Sequence, residues 1–237
     1  MDLAALAEEI EQPYRPVRLA AAGGFEAALF TCHDKHTWHR REPKHQILLV
    51  LEGVITVDGP GGRQVVNEGE IALIPGQVGH NLGAGMRSVV VVFHEAPTDI
   101  HANGHPLPPD APRGEIRKVN VAADVHGQGL FSWLVLGTAG GCAVAATRLW
   151  GRSEPYVSPT GSLVLLVYRG VVDYATDTGT DDVAGSQMLV VPADSAVTLS
   201  SERGATVVAV VRDGMALPRP VAPDSAARDA DSGKADT

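Results

Sequence analysis

The sequence predicts an all-β protein, on two observations. After the first sixteen residues, short runs rich in Val, Ile and Leu, such as ILLVLEG, EIALIPG and RSVVVVF, alternate with Gly, Pro and Asn. No helix-length periodic segment separates these runs, which disfavours a parallel α/β fold. Closely spaced runs of this kind are typical of an antiparallel sandwich or barrel.

The N-terminal segment, residues 1–16, is the exception. Leu3, Leu6 and Ile10 recur at the spacing of an amphipathic helix. We therefore expect one short helix that ends before Pro13, because proline has no backbone N–H to continue it.

Two β-rich halves follow, residues 17–95 and 115–213. The stretch between them, residues 96–114, contains five prolines and is expected to be an extended connector. From residue 214 to 237 large apolar side chains are few, which predicts a disordered tail.

An internal repeat relates the two halves. Aligning Gly53 with Gly170 and Pro75 with Pro192 gives the same offset of 117 residues (170 − 53 and 192 − 75). Equal offsets at two independent landmarks indicate a duplicated unit.

Charge and cysteine content exclude several classes of function. Lys and Arg number 19 against 28 Asp and Glu, a formal net charge of −9, and no basic run offsets it, so direct nucleic-acid binding is not expected. Cys32 and Cys142 are too few for a disulfide framework or a cysteine zinc site. No apolar run approaches the roughly 20 residues of a membrane span, and the acidic start MDLAALAEEIEQ is unlike a secretory signal. We expect a soluble, cytoplasmic protein with no membrane partner.

The segment GEIALIPGQVGH resembles the second conserved motif of the cupin superfamily, G-x5-P-x-G-x2-H-x3-N. Gly69, Pro75 and His80 fit this motif. Gln77 replaces its internal Gly, and Gly83–Ala84 stands where its Asn would fall.

The preceding segment, WHRREPKHQILLVLEGVITVDG, resembles the first cupin motif, G-x5-H-x-H-x3,4-E-x6-G. His39 and Gly53 fit with the four-residue spacer, whereas Arg41 stands at the second His and Gln46 at the Glu. The resemblance implies a double-stranded β-barrel, or jelly roll, that holds a metal through three His and one Glu. Together with the repeat, it implies a bicupin of two tandem barrels.

These departures predict a weakened metal site. Arg41 stays protonated and cannot ligate, and Gln46 offers a carbonyl oxygen without a charge. We therefore expect His39, His80 and Gln46 to hold at most one divalent ion (Zn, Fe, Mn or Ni), and weakly. An inward Arg41 beside Gln46 would instead bind the carboxylate or phosphate of a small-molecule ligand. The alternative is an Arg41 that folds outward along the barrel rim.

The second half has no equivalent site. At the repeat offset, the positions of His39, Arg41, Gln46 and His80 are occupied by Tyr156, Ser158, Leu163 and Val197. We expect a vestigial second barrel that is structural or helps to bury a ligand. The other histidines are expected outside the site: His33, His36, His45, His94, His101, His105 and His126.

Three classes of function remain open. The first is a metal-dependent enzyme that acts on a small organic molecule, as the resemblance allows. The second is a non-catalytic small-molecule-binding cupin, and the third is a structural bicupin without metal. Fold alone does not choose among them. The catalytic residues, the ligand and the oligomeric state, a homodimer included, are left open by the sequence.

Overall fold

Sixteen strands and two short helices form the part of the chain that the computed structural model describes, which is residues 1–22, 25–35, 45–95, 114–139, 141–157, 162–212, 214 and 216–219. Up to residue 120 the elements are α1 (Leu3–Glu8), β1 (Val17–Ala22), β2 (Phe25–Lys35), β3 (Gln46–Glu52), β4 (Val54–Gly59), β5 (Gly62–Asn67), β6 (Glu70–Ile74), β7 (Asn81–Glu95) and β8 (Arg117–Asn120). After it they are α2 (Val121–His126), β9 (Leu134–Ala139), β10 (Cys142–Arg152), β11 (Tyr156–Val157), β12 (Leu163–Arg169), β13 (Val171–Thr176), β14 (Gly179–Ala184), β15 (Gln187–Val191) and β16 (Ala196–Arg212). The predicted all-β class is confirmed.

The long strand β7 closes the first barrel, because it belongs to both of its layers. Its beginning, Asn81–Gly83, pairs with β4, which also pairs with β5. Its second part pairs with β3 on one side and β2 on the other, in the order β1-β2-β7-β3-β6-β8. In the second barrel β16 has the same position, between β13 at its beginning and β10 and β12 towards its end.

The repeat extends through the strands of both barrels. β3 begins at Gln46 and β12 at Leu163, an offset of 117 residues (163 − 46). The same offset relates both ends of β1 and β9, β2 and β10, β4 and β13, β5 and β14, and β6 and β15. β7 and β16 also end at equivalent positions, Glu95 and Arg212. The duplication is therefore confirmed.

Unusual backbone conformations repeat as well. Tyr14 has φ of 60° and Phe131, its equivalent, has φ of 54°; Gln77 and Asp194 are a second such pair, at 64° and 62°. Positive φ is uncommon for residues other than glycine. Its occurrence at equivalent positions shows that the two barrels share turn geometry even where their side chains differ.

Alternate residues of β3 face two different cores. Leu48 and Val50 lie in the interior of the first barrel, whereas Ile47 and Leu49 lie in a core shared by both barrels. β12 divides its residues in the same way between the shared core and the interior of the second barrel. The central residues of both strands are apolar because both of their faces are buried.

Helix α1 connects the two barrels. Asp2 caps it by accepting a hydrogen bond from Ala5 N at 3.0 Å. Leu3 and Ala7 are buried in the shared core, and Leu3 N donates to Ser186 O of the second barrel at 3.0 Å. The predicted N-terminal helix is confirmed. Among the described residues no helix is long and apolar enough to cross a membrane.

β8 and α2 connect the sheet of the first barrel to the second barrel, and local sequence patterns did not predict either element. β8 pairs with β6 of the first sheet, although its residues fall in the range 115–213 predicted for the second barrel. Asn120 ends β8 and caps α2 by accepting from Ala123 N at 2.9 Å. Six residues are too few for helical periodicity to appear in the sequence.

Part of the predicted tail contacts the second barrel. The Trp133 indole N–H donates to Pro218 O at 2.7 Å, and the Tyr156 hydroxyl donates to the carbonyl of Ala216 at 2.7 Å. The disorder predicted from residue 214 therefore does not extend to residues 216–219. The rest of the tail, 220–237, and connector residues 96–113 lie outside the described residues.

Candidate functional site

A small cavity lies among the interior side chains of the first barrel. Its volume is about 40 Å³. It is lined by Tyr14, Pro16, Phe30, Gln46, Leu48, His80, Leu82 and Val92. One water molecule needs roughly 10–15 Å³ by this measure. The cavity therefore accepts a few waters, one ion or the head group of a ligand that extends beyond it.

Gln46 is placed in the cavity by the alternation of β3. It shares the inward face of the strand with Leu48 and Val50, and it pairs with His94 of β7 and Ile74 of β6. Its residue exposure is only 9%. A buried carboxamide can both donate and accept hydrogen bonds, so it suits an oxygen-rich ligand.

His80 enters the cavity from the turn between β6 and β7. It is 2% exposed, and its Nδ1 lies 3.0 Å from Val78 O. A carbonyl only accepts, so Nδ1 carries the proton and Nε2 carries the lone pair. Burial lowers the pKa of His80, with the contact to Val78 opposing it, so the imidazole is neutral at neutral pH. A neutral imidazole is the form of histidine that can accept a hydrogen bond or bind a metal ion.

Tyr14 closes one side of the cavity as a neutral phenol. Its hydroxyl donates to Asp34 O at 2.6 Å. Burial, followed by the nearby Cys32 and Asp34, raises the pKa of Tyr14. Burial also raises the pKa of the Cys32 thiol to about 12, so this cysteine is not a nucleophile at neutral pH.

The structure brings two of the four predicted site residues together. Gln46 and His80 line the same cavity. His39 and Arg41 lie outside the described residues, so their roles stay predictions.

The donors in the described part of the site do not fit a tightly held metal ion. They are one imidazole, His80, and one uncharged amide, Gln46. Within the described residues no group of three or more His, Cys, Asp and Glu side chains is placed to hold an ion. A first-row divalent ion prefers several imidazoles with an anionic oxygen donor.

His94, which the sequence analysis placed outside the site, is a buried polar residue of this barrel next to Gln46. It is 5% exposed and lies directly opposite Gln46 on β3 and Glu26 on β2. Glu26 in turn forms an ion pair with Arg18 at 2.7 Å. Directly opposed side chains share one sheet face, with Cβ atoms about 5 Å apart. The inner end of the barrel therefore carries a polar row, Glu26–His94–Gln46.

The repeat contains the signal that could have identified His94. At the equivalent positions the second barrel has Ala143, Leu163 and Val211, all buried in its interior core, and Val197 replaces His80. Where one copy has a buried polar residue and the other has an apolar residue at the equivalent position, the polar residue is a candidate for a functional role.

Three other histidines behave as expected. His33 is exposed and lies 3.0 Å from the carboxylate of Asp34. His45 and His126 are exposed. Strand alternation turns His45 away from the cavity that its neighbour Gln46 lines.

Comparison with known proteins supports the fold. No family model and no curated protein matches the sequence. A cupin 2 conserved barrel domain protein from Leptotrichia buccalis has a similar structure, with a TM-score of 0.70 and 13% identity over 90% of this chain and 95% of that chain. A salicylate 1,2-dioxygenase from Pseudaminobacter salicylatoxidans has a TM-score of 0.67 and 15% identity, over 88% of this chain and 81% of that chain. Protein Ylba from E. coli has a TM-score of 0.58 and 14% identity, over 82% of this chain and 81% of that chain.

Likeness at these identities carries the fold but not the chemistry. The similar structures span most of both barrels, and the repeat relates the two barrels strand by strand. The chain therefore has the cupin fold, with two cupin barrels in tandem, as the resemblance of its motifs predicts.

Proposed function

We propose that the first barrel binds a small organic anion at the cavity lined by Gln46 and His80, and that the second barrel is its structural partner. One observation carries this proposal. At the positions of these two polar residues, the second barrel has the buried apolar residues Leu163 and Val197.

Comparing the two barrels at equivalent positions shows which residues the fold itself requires. A polar group in a barrel interior costs free energy unless it is hydrogen-bonded. The second barrel forms the same strands with Leu163 and Val197, so the fold does not require Gln46 or His80. Their presence is best explained by a ligand.

The donors and acceptors favour a hydroxylated carboxylic acid. The neutral imidazole of His80 is a polar group suited to a ligand hydroxyl, and the Gln46 amide can donate to a carboxylate. Arg41 supplies the matching positive charge if it faces inward, as its place in the first motif predicts. One carboxylate with a neighbouring hydroxyl is small enough for a cavity of about 40 Å³.

A solved structure of similar fold is consistent with this ligand class. Salicylate 1,2-dioxygenase from Pseudoaminobacter salicylatoxidans is known as an adduct with gentisate, at a TM-score of 0.64. In this chain, a divalent ion (Zn, Fe, Mn or Ni) is expected to be held weakly at most, by His39, His80 and Gln46. Non-catalytic binding is therefore favoured over metal-dependent catalysis.

The direct test replaces the two polar residues by their counterparts from the second barrel. Gln46→Leu with His80→Val should leave the protein folded and at least as stable, because two buried polar groups become apolar. Calorimetric titration with gentisate, salicylate and a panel of small carboxylates should show binding to the wild type and at least tenfold weaker binding to the variant.

His126→Val is the matched control, since His126 is exposed and outside the cavity. It should bind as the wild type does. Unchanged binding by the folded double variant would contradict the proposal, as would a wild type that binds no carboxylate of the panel.

A further inference from the structure

A groove on the outside of the second barrel gathers three arginines beside an exposed tryptophan. Its volume is about 170 Å³, and Arg148, Arg169, Arg203 and Trp150 line it together with the exposed Leu130. It is separate from the cavity of the first barrel.

Strand pairing places two of the arginines on one face. Arg148 of β10 and Arg169 of β12 both pair with Thr206 of β16, which lies between them. Neighbouring strands are about 4.8 Å apart, so the two Cβ atoms are separated by about 10 Å. Guanidinium groups on side chains of this length can converge on one ligand group between them.

A break in strand register contributes the other two side chains. The pairing of β10 and β16 shifts register between Leu149 and Gly151, so Trp150 lies opposite the bulge in β16, residues 202–204, that carries Arg203. Gly204 permits this bulge with φ of 85°. Trp150 is 60% exposed, so most of its ring is open to a ligand.

The groove is positively charged in an acidic chain. Among the described residues no acidic side chain lines it, and none of the three arginines forms an ion pair there. Glu202 is the neighbour of Arg203 in sequence but is not part of the lining. Arg148 donates one hydrogen bond, from Nη1 to His126 O at 3.1 Å, which orients its guanidinium. The guanidinium of Arg169 lies 5.8 Å from the centroid of the Tyr168 ring. Each guanidinium carries five N–H donors, so the group has many more donors than the one used by Arg148.

The first barrel shows that the fold does not need this cluster. At the repeat offset, Arg148, Arg169 and Arg203 are replaced by Thr31, Glu52 and Met86. None of the three arginines therefore has a basic counterpart in the first barrel, where Arg87 stands instead at the position of Gly204. The three positive charges belong to the second copy alone.

We propose that this groove binds a phosphate monoester carried by a ring-bearing small molecule. Arg148 and Arg169 present planar donor forks that match phosphate oxygens, and Arg203 adds a third positive charge. The ring of the ligand stacks on Trp150. The second barrel, which has an apolar interior, would then bind its ligand on the outside.

Inorganic phosphate and phenyl phosphate are the probes that test this site on the full chain, in a phosphate-free buffer of low salt. Phenyl phosphate should quench Trp150 fluorescence and bind about tenfold more tightly than inorganic phosphate, since stacking on an aromatic side chain has about that effect. Phenol, which has no charge, should not bind. Trp150→Phe should remove the fluorescence signal while calorimetry still detects binding.

Arg148→Gln with Arg169→Gln should weaken phenyl phosphate at least tenfold, because charge-assisted hydrogen bonds are lost. The matched control is Arg152→Gln, an exposed arginine of the same strand outside the groove, which should leave binding unchanged. Three results would overturn the proposal: no binding of either phosphate, equal losses in the double variant and the control, or unchanged binding in the double variant. None of these results bears on the proposed binding of carboxylates in the first barrel, which is tested separately.

Discussion

Gln46 is the residue at which the cavity departs most clearly from a metal-binding cupin motif. It lines the cavity beside His80 without a negative charge. Arg41→His with Gln46→Glu restores three imidazoles and a carboxylate at the spacing of the family. We expect the double variant to bind Zn²⁺ and Mn²⁺ more tightly than the wild type and to lose anionic ligands, because it gains ligands and loses a cation. Calorimetric titration of both proteins measures this.

Two single variants control that experiment. His80→Ala should abolish any metal binding, whereas His126→Ala, at an exposed position, should not change it. If the double variant remains folded and gains no affinity for metal, the alignment of the first motif is wrong. Stoichiometric, chelator-resistant metal in the wild type would contradict the weak site itself.

Glu70 is a buried carboxylate whose role is structural. Burial alone would raise its pKa, but hydrogen bonds from Asn67 N at 2.8 Å and from Lys118 and Asn120 outweigh burial and hold the pKa of Glu70 below its usual value. The equivalent residue of the second barrel, Gln187, accepts the equivalent backbone hydrogen bond from Ala184 with an uncharged amide.

Glu70→Gln should therefore retain the turn but lose the charged contacts, at a cost of about 1 kcal/mol at neutral pH. A depressed carboxyl pKa stabilises the fold above the ordinary glutamate pKa, and this stability is lost as the pH falls through the folded pKa. Denaturant unfolding at pH 7 and near pH 4 should show a smaller loss on acidification in the variant than in the wild type. An equal loss in both proteins would refute the role of Glu70.

At the scale of elements, the last described segment is part of the second barrel. Pro218 and Ala216 accept hydrogen bonds from Trp133 and Tyr156, and Leu217 packs against the interior core. These contacts explain why a segment with few large apolar residues is still held in place. Composition measures the average of a stretch, whereas docking depends on a few residues that meet partners distant in sequence.

Two truncations test this boundary. Removal of residues 220–237 should leave the melting temperature unchanged, because their composition offers almost no apolar area to bury. Removal of residues 215–237 should lower it by several degrees, since the bonds to Trp133 and Tyr156 are lost. Differential scanning calorimetry compares the two. Equal melting temperatures for both truncations would show that the segment contributes nothing.

At the scale of the whole molecule, the two barrels share a core. Leu49 and Ile71 of the first barrel and Val164 and Leu166 of the second lie in one buried cluster, and Leu3 of α1 joins it. A barrel separated from its partner would expose this apolar face to water. The barrels should therefore unfold as one cooperative unit.

Denaturant unfolding followed by tryptophan fluorescence and by far-UV circular dichroism should give coincident single transitions. Leu166→Ala should destabilise the whole chain by about 2–5 kcal/mol, as expected for a leucine truncated in a packed core. Val171→Ala, at an exposed position, is the control and should have little effect. Two separated unfolding transitions, of which Leu166→Ala shifts only the one of the second barrel, would contradict a shared core.

Local patterns in the sequence were sufficient for the class of fold. Short apolar runs between turn residues predict strands, and Leu3, Leu6 and Ile10 predict α1, because these signals act within a few positions. The offset between Gly53 and Gly170 predicts the duplication, which the structure extends to whole strands. The motif resemblance also placed Gln46 and His80 in one barrel, where they line one cavity.

Which side chains meet was decided only by the tertiary structure. Glu26, Gln46 and His94 form one row because β2, β3 and β7 are neighbours in the sheet, although long segments of chain separate them. Arg148 and Arg169 flank Thr206 for the same reason. Strand register depends on the packing of both faces of a sheet at once, and no short window of sequence contains that information. The sequence by itself thus determined the strands and their repetition, and the pairing of distant strands determined the two candidate sites.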